Sequence, residues 1–241
     1  MEALLLVLHF GLFVQALKLD ITLNEKSVFI AGSDTDAGKT FITGLLAREL
    51  NSKGHRVITQ KWVHSGTKIS DISLPEDLKE HDRLAQYSEA QQRFNQDYLA
   101  ARCPYRFNHP SSGHLAAALE NREIKSEKIY NDLARLENNF DHVLIEGIGG
   151  LLAPFSQKAT LCDLIQEKKL PVILVVANRL GAINHTLLTL EVLKSRKISC
   201  LGCIWTCTQP GGDPIIQKDN PKIVSQLSGI KTLATLTYLK K

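Results

Sequence analysis

Gly32-Ser-Asp-Thr-Asp-Ala-Gly-Lys-Thr40 decides how the rest of the chain is read. It lies between a short apolar run at 27–31 and a segment from 39 to 52 whose composition suits a helix. A phosphate needs several convergent N–H donors. Glycines let the backbone curl around it, and the N-terminus of the following helix adds a favourable field. In such a loop Lys39 reaches the β- and γ-phosphates and the hydroxyl of Thr40 binds magnesium. Five residues, not the usual four, separate Gly32 from Gly38. A Gly-Lys-Thr tripeptide alone is common, and its place after an apolar strand and before a helix is what gives it weight.

Working outward, short β-branched runs alternate with amphipathic stretches, the pattern of strand–helix–strand units around a parallel sheet. Strands are expected at 27–31, 56–60, 142–146, 171–177, 198–205 and, more weakly, 232–236. Helices are expected at 39–52, 113–119, 126–138, 161–168, 184–196 and 220–227. The almost continuously apolar Val172-Ile-Leu-Val-Val176 suits a central strand covered on both faces. Residues 67–107 are polar and irregular, and are read as an insertion of loop and short helix over one sheet edge, where substrate contacts commonly sit. These features imply an α/β fold in three layers, with a mostly parallel central sheet flanked by helices, of the P-loop NTPase kind.

Two further segments carry chemistry. Lys61-Trp-Val-His-Ser-Gly66 lies at the carboxyl end of the second strand, where ligands sit in open α/β sheets. Asp141-His-Val-Leu-Ile-Glu-Gly-Ile-Gly-Gly150 is an apolar strand ending in a carboxylate and a glycine turn. Glu146 there would bring one negative charge to the phosphate pocket, where a hard cation takes oxygen ligands; use in a structural salt bridge is the competing reading. Asp82 could supply another oxygen from the insertion. His64 and His114 are treated as hydrogen-bonded structural groups, because phosphoryl transfer does not oblige a histidine.

The chain has 241 residues, enough for one large α/β domain and short for two. That domain is expected over 25–241, after an apolar extension over 1–24. Residues 3–16 are apolar except for His9, Gly11 and Gln15, a run too short to span a bilayer easily. Glu2 stands where a secretory signal carries positive charge. An extra packing helix or an over-called start is preferred to a weak membrane contact, and that to a signal peptide, so no stable membrane insertion is expected. An apolar fraction of 44% with 22% charged residues excludes disordered, collagen-like and membrane-array classes. The net charge of +4 has no basic run behind it, which suits anionic ligands and gives little reason for nucleic acid. Five cysteines include the spacing Cys200-x-x-Cys203, but no second pair or histidine cluster completes a metal site. They are taken as reduced core thiols, and the protein as cytoplasmic.

Collectively the motifs resemble those of the dethiobiotin synthetase family. The matching pieces are Gly32-x-Asp34-Thr35-x-x-Gly38-Lys39-Thr40, Lys61-x-Val-x-Ser65-Gly66, His81-Asp82, Pro110-x-x-x-His114, Glu146-Gly147-x-Gly149-Gly150, Pro171-Val-Ile-Leu-Val-Val and Gly181-x-Ile183-Asn184-His185. They follow the family's order from about Val28 to Trp205. The resemblance implies that CO2 adds to an amine of 7,8-diaminopelargonate, that ATP phosphorylates the carbamate, and that the second amine closes a ureido ring. It implies catalytic roles for Lys61 and Lys39, and nucleotide contacts from Asp36, Ala37, Gly38, Lys39, Thr40, Phe41, Asp82, Glu146, Gly147, Ile148 and Gly149. It further implies Mg2+ held by Thr40, Asp82 and Glu146, with substrate bound by Ser65, Gly181 and Asn184. A homodimer follows too, since in the family the last of these contacts comes from the partner subunit.

Two departures bear on the nucleotide base. Cys207 stands where the family has an asparagine that reads the adenine edge, and a thiol cannot donate and accept as an amide does. The sequence also stops at Lys241, whereas longer family members continue into a segment that helps cover the base. ATP is therefore a default. The alternative is a regulatory or partitioning ATPase of related fold, or a degenerate relative. A partitioning ATPase would share the phosphate loop, but it has no need of Lys61 with Ser65 and often carries a second lysine where this chain has Ser33.

Overall fold

The computed structural model describes residues 21–67, 74–207 and 211–236. The expected helical extension over 1–24 lies outside them except for its last four residues. Eight strands and nine helices are present among the described residues. In chain order they are β1 (Ser27–Gly32), α1 (Lys39–Ser52), β2 (Val57–Lys61), β3 (Val63–Ser65), α2 (Glu76–Ala85), α3 (Glu89–Gln96), α4 (Leu99–Arg102), β4 (Tyr105–Phe107), α5 (Gly113–Leu119), α6 (Ser126–Glu137), β5 (His142–Gly150), α7 (Leu161–Glu167), β6 (Val172–Ala177), α8 (Ala182–Ser195), β7 (Cys200–Thr206), α9 (Pro214–Ser228) and β8 (Thr232–Leu236).

Six strands form one sheet in the order β2-β5-β1-β6-β7-β8, and every pairing in it is parallel. The alternation of side chains across each strand divides the apolar residues between two cores. Phe29, Leu174 and Val176 face a core completed by Leu133 and Leu136 of α6, Ile165 of α7 and Leu193 of α8. Ile30, Ile173 and Val175 face the other, completed by Ile42, Leu45 and Leu46 of α1 and Leu84 of α2. Each such residue contributes about 1.5–3 kcal/mol of hydrophobic stabilisation, which is why β6, apolar on both faces, sits in the interior.

The two outermost strands differ. Just before β2, the Arg56 carbonyl accepts from Asp141 and His142 N–H at the start of β5, so Val57 and Thr59 turn their carbonyls to the sheet's free edge. The Tyr87 hydroxyl donates to Val57 O (3.1 Å) and Arg102 Nε to Thr59 O (3.2 Å), closing that edge with side chains.

The expectations for 67–107 and for the last helix need correction. The insertion holds three helices, α2 to α4, and ends in β4, which pairs with β3 in a separate two-stranded parallel sheet. The last helix begins at Pro214, not at 220. Asp213 accepts from Ile215 N–H (2.8 Å) as its N-cap, and Pro221 lies inside the helix, where a proline looks from sequence like a first turn. Helices α1 and α2 pack very closely: a Cβ on Gly44 would come within 2.6 Å of Leu84 Cβ. That contact fixes α2, whose side chains enter the site, against the helix that follows the phosphate loop. Among the described residues no helix is long and apolar enough to cross a membrane.

Candidate active site

The loop after β1 has the conformation that its glycines allow. Gly38 sits at φ 92° as the N-cap of α1, a left-handed geometry that disfavours a side chain. A Cβ on Gly32 would lie 2.7 Å from Asp34 O and 3.0 Å from Lys39 Nζ, so the loop closes around the lysine because position 32 is bare. Lys39 is buried, with Nζ 3.4 Å from the Asp34 carbonyl. Burial lowers its pKa against the opposing pull of Glu146. Within the loop Ala37 is buried and its carbonyl accepts from Thr206 Oγ1 (2.6 Å), Asp36 is exposed at φ 57°, and Phe41 packs against the Ile42 core.

Lys61 ends β2 and is the register partner of Glu146 in β5, so the two side chains leave the sheet on one face. Lys61 Nζ lies 2.7 Å from Glu146 Oε1 and 2.8 Å from Asp77 Oδ2. Thr40 Oγ1 is 3.1 Å from Glu146 Oε1 and 3.2 Å from Asp77 Oδ1. Lys39, Thr40, Lys61 and Glu146, drawn from three segments of sequence, are therefore brought together. Gly147, Ile148 and Gly149 follow as a continuation of β5, which runs to Gly150 and not, as expected, only to Glu146.

Asp82 does not join them. Its carboxylate takes two bonds from the fully buried Arg102, Nη2 at 2.5 Å and Nη1 at 3.0 Å, and Arg102 Nη2 also donates to Thr59 Oγ1 (3.1 Å). The acid that reaches Thr40 and Lys61 is Asp77, five residues earlier on α2. His81, on the same face of that helix, donates Nε2–H to Glu146 Oε2 at 2.8 Å, since an ionised carboxylate can only accept. The Nδ1 of His81 is buried with no hydrogen-bond partner among the described residues. His64 lies between Asp77 Oδ2 (3.1 Å) and Thr67 Oγ1 (2.7 Å). Sequence reasoning missed Asp77 and His81 as members of the cluster; their separation by four residues on a short helix was the available signal.

Ser65 ends β3 and donates to Ser111 O (2.9 Å). Gly181, at φ 88°, is the N-cap of α8 and Asn184 lies in its first turn. The loop before that helix is tied to the phosphate loop by Arg179 Nη2 to Asp34 Oδ2 (3.0 Å).

The electrostatics are those of a buried lysine shared by two carboxylates. Burial alone would raise the pKa of Glu146, but the Lys61 ammonium and the His81 bond outweigh it and hold the carboxyl at about 2, against an ordinary value of 4.5. The same contest at Asp77, won by His64 and Lys61, leaves it lowered as well, and Lys61 is raised by its two partners against its own burial. A depressed carboxyl contributes stability that is complete above its unfolded value and is lost as pH falls through the folded one. Urea unfolding of the metal-free protein is therefore expected to show stability falling between about pH 4.5 and 2, with Glu146→Gln showing a shallower fall. Equal slopes would remove Glu146 from the account.

Among the described residues no three His, Cys, Asp or Glu side chains are arranged to hold a metal ion by themselves. What converges on Thr40 is a hydroxyl and carboxylate oxygens with no thiolate, a donor set that suits a hard cation completing its shell with water and phosphate.

A family model described as an AAA domain matches residues 26–241. The chain is 41% identical to the ATP-dependent dethiobiotin synthetase BioD 2 of Haemophilus influenzae over 180 residues, covering 75% of this chain and 90% of that one. It is 35% identical to ATP-dependent dethiobiotin synthetase BioD of Thermodesulfovibrio yellowstonii, covering 88% of each chain. Among solved structures, the pNOB8 ParA bound to nonspecific DNA superposes with a TM-score of 0.53 at 17% identity, covering 89% of this chain and 85% of that one. The ParA family ATPase from Chlorobium tepidum gives 0.51 at 11% identity, covering 90% and 86%. At such identities those two likenesses are of fold alone.

Proposed function

The chain belongs to the dethiobiotin synthetase family, and from that membership we infer that it is an ATP-dependent ligase of biotin biosynthesis. Its substrates on this reading are 7,8-diaminopelargonate, CO2 and ATP. One amine adds to CO2 to give a carbamate, the carbamate oxygen takes the γ-phosphoryl with release of ADP, and the second amine attacks the mixed anhydride, closing the ureido ring and expelling phosphate. No protein nucleophile is required. The work left to the protein is positioning and charge neutralisation.

Lys61 carries this reading: a buried ammonium at the carboxyl end of β2, beside the phosphate loop, can hold a carbamate oxygen next to the γ-phosphoryl. A phosphate loop that only switches a partner has no use for it. Lys39 neutralises phosphate charge from within the loop, and the backbone from Asp36 to Phe41 and at Gly147, Ile148 and Gly149 lines the nucleotide. Magnesium, when bound, would supply further positive charge to the phosphate oxygens, with Thr40 and Glu146 holding it. Ser65 sits at the reacting end of the substrate. The free N–H groups at Gly181 and Asn184 suit a carboxylate, offered across a homodimer in the cytoplasm.

Phosphate release by the purified protein is the test, with magnesium, bicarbonate and ATP, in the presence and absence of the diamine and again with CTP and GTP. Release that requires the diamine is expected. Hydrolysis indifferent to the diamine, or none with any nucleotide, would sink the reading, and the nucleotide series reports what Cys207 does to base choice.

A further inference from the structure

We propose that Cys200 and Cys203 form a redox-active dithiol, a site that reacts with small disulfides of the glutathione kind and closes reversibly to an intrastrand bridge. Neither thiol takes part in the synthetase chemistry above. On a regular strand residues three apart point to opposite faces, so a C-x-x-C spacing would separate the two sulfurs. Here β7 carries one extra residue against β6: Cys200 pairs with Val172 and Gly202 with Ile173, which leaves Leu201 as a bulge with no register partner in β6. The alternation shifts across it. Leu201 and Ile204 join the core of Ile173, while Cys200 and Cys203 both lie in the core of Phe29 and Leu174. Gly202 permits the bulge. Its φ is 150°, and a Cβ there would come within 2.6 Å of Leu233 Cγ and 2.8 Å of Lys231 O.

The two thiols, brought to one face, share a hydrogen bond, and Cys200 Sγ lies 3.8 Å from the Gly202 carbonyl. Donation by the Cys203 thiol lowers the pKa of Cys200 against the cost of its burial, and the same bond, together with burial, raises that of Cys203. The roles divide accordingly. Cys200, half-buried, is the attacking thiolate, and Cys203, 1% exposed, is the resolving thiol. Burial raises the pKa of both Cys103 and Cys162, which leaves them poor competitors. In the exchange Cys200 attacks one sulfur of the small disulfide, forming a mixed disulfide and expelling one thiol. Cys203 then attacks Cys200 Sγ and expels the second. The two protons of the cysteines leave on the two released thiols, so one disulfide is reduced as one bridge forms. The resolving step also keeps Cys200 from climbing to irreversible oxidation states.

The experiment is incubation of the intact, ligand-free protein with glutathione disulfide, followed by alkylation of the remaining thiols and mapping of the cysteine peptides by mass spectrometry. The wild type is expected to yield a Cys200–Cys203 bridge that dithiothreitol reverses, with Cys103 and Cys162 alkylated only after unfolding. Cys203→Ser keeps a hydrogen-bond donor beside Cys200 and is expected to stop at a glutathione adduct on Cys200. Cys200→Ser is expected to slow modification at Cys203 by about tenfold or more. The wild-type mapping decides the matter even where a variant fails to fold. Cys200 reacting no faster than Cys103, or holding its glutathione adduct while Cys203 stays a free thiol, overturns the proposal.

Discussion

Lys61→Gln is expected to lower the turnover of the diamine-dependent reaction by about a thousandfold with all substrates saturating, the loss typical of one buried charge-stabilising donor. The side chain is small enough to fit and can still donate a hydrogen bond, so what the substitution removes is the charge. It also leaves Glu146, which is 1% exposed, and Asp77 without the ammonium that contacts both, with the more distant Lys39 as their remaining neighbouring cation. Breaking a buried pair in this way costs about 3–5 kcal/mol, with the lower end fitting here because the Asp77 side chain retains 27% exposure. Thermal unfolding should therefore show a less stable ligand-free protein, and Mg2+ with ADP should recover more stability in the variant than in the wild type. Lys61→Arg should restore stability better than turnover, because a planar guanidinium cannot present its charge at the ammonium's position. Turnover within tenfold of wild type in Lys61→Gln would take Lys61 out of the chemistry.

Arg102→Leu should produce the largest loss of stability among single substitutions away from the reacting groups. The guanidinium is fully buried, holds both Asp82 oxygens, and satisfies the Thr59 carbonyl on the free edge of β2. Its loss leaves a carboxylate and an edge carbonyl without partners, at a cost of about 3–5 kcal/mol. For a chain of this size that corresponds to a fall of roughly 10 °C in unfolding temperature. The double variant Arg102→Leu, Asp82→Leu should regain part of the loss, since an apolar pair need not be satisfied. An unchanged unfolding temperature in Arg102→Leu would mean that water replaces the guanidinium, and the account of the α2 anchor would fall with it.

The sheet was legible in the sequence because its strands are written in the strongest available signals. Val172-Ile-Leu-Val-Val176 can be buried on both faces and little else, and the glycine loop at 32–38 is intelligible only between a strand and a helix. Lys39, Thr40, Lys61 and Glu146 followed, since each is placed by a strand end or by the loop. The insertion was not legible. Its helices α2 and α3 have ten and eight residues and are mostly polar, and over two turns periodicity constrains little. Which acid of α2 faces the loop is decided by rotation about the helix axis. That rotation depends on Leu84 meeting Gly44 and on Arg102 of α4 reaching Asp82, contacts between residues 20 to 40 positions apart in the chain. Nothing local to Asp77 or Asp82 distinguishes them. The start of α9 was misplaced for a local reason, Pro221, which the helix tolerates inside its length.

The strand order carries a consequence for how the protein comes into being on the ribosome. Strand β1 is flanked by β5 and β6, and the Ser33 N–H at the mouth of the phosphate loop donates to Val175 O (2.9 Å). The loop residues are thus translated early but lack half their frame until β6 has been made. At about 5–20 residues per second that interval is roughly seven to thirty seconds. A nascent chain halted before β6 carries the nucleotide-binding sequence without the nucleotide-binding shape. Once β6 docks, cellular ATP can bind the new fold and not the unfinished one, so its concentration pulls the last stage of folding forward by mass action.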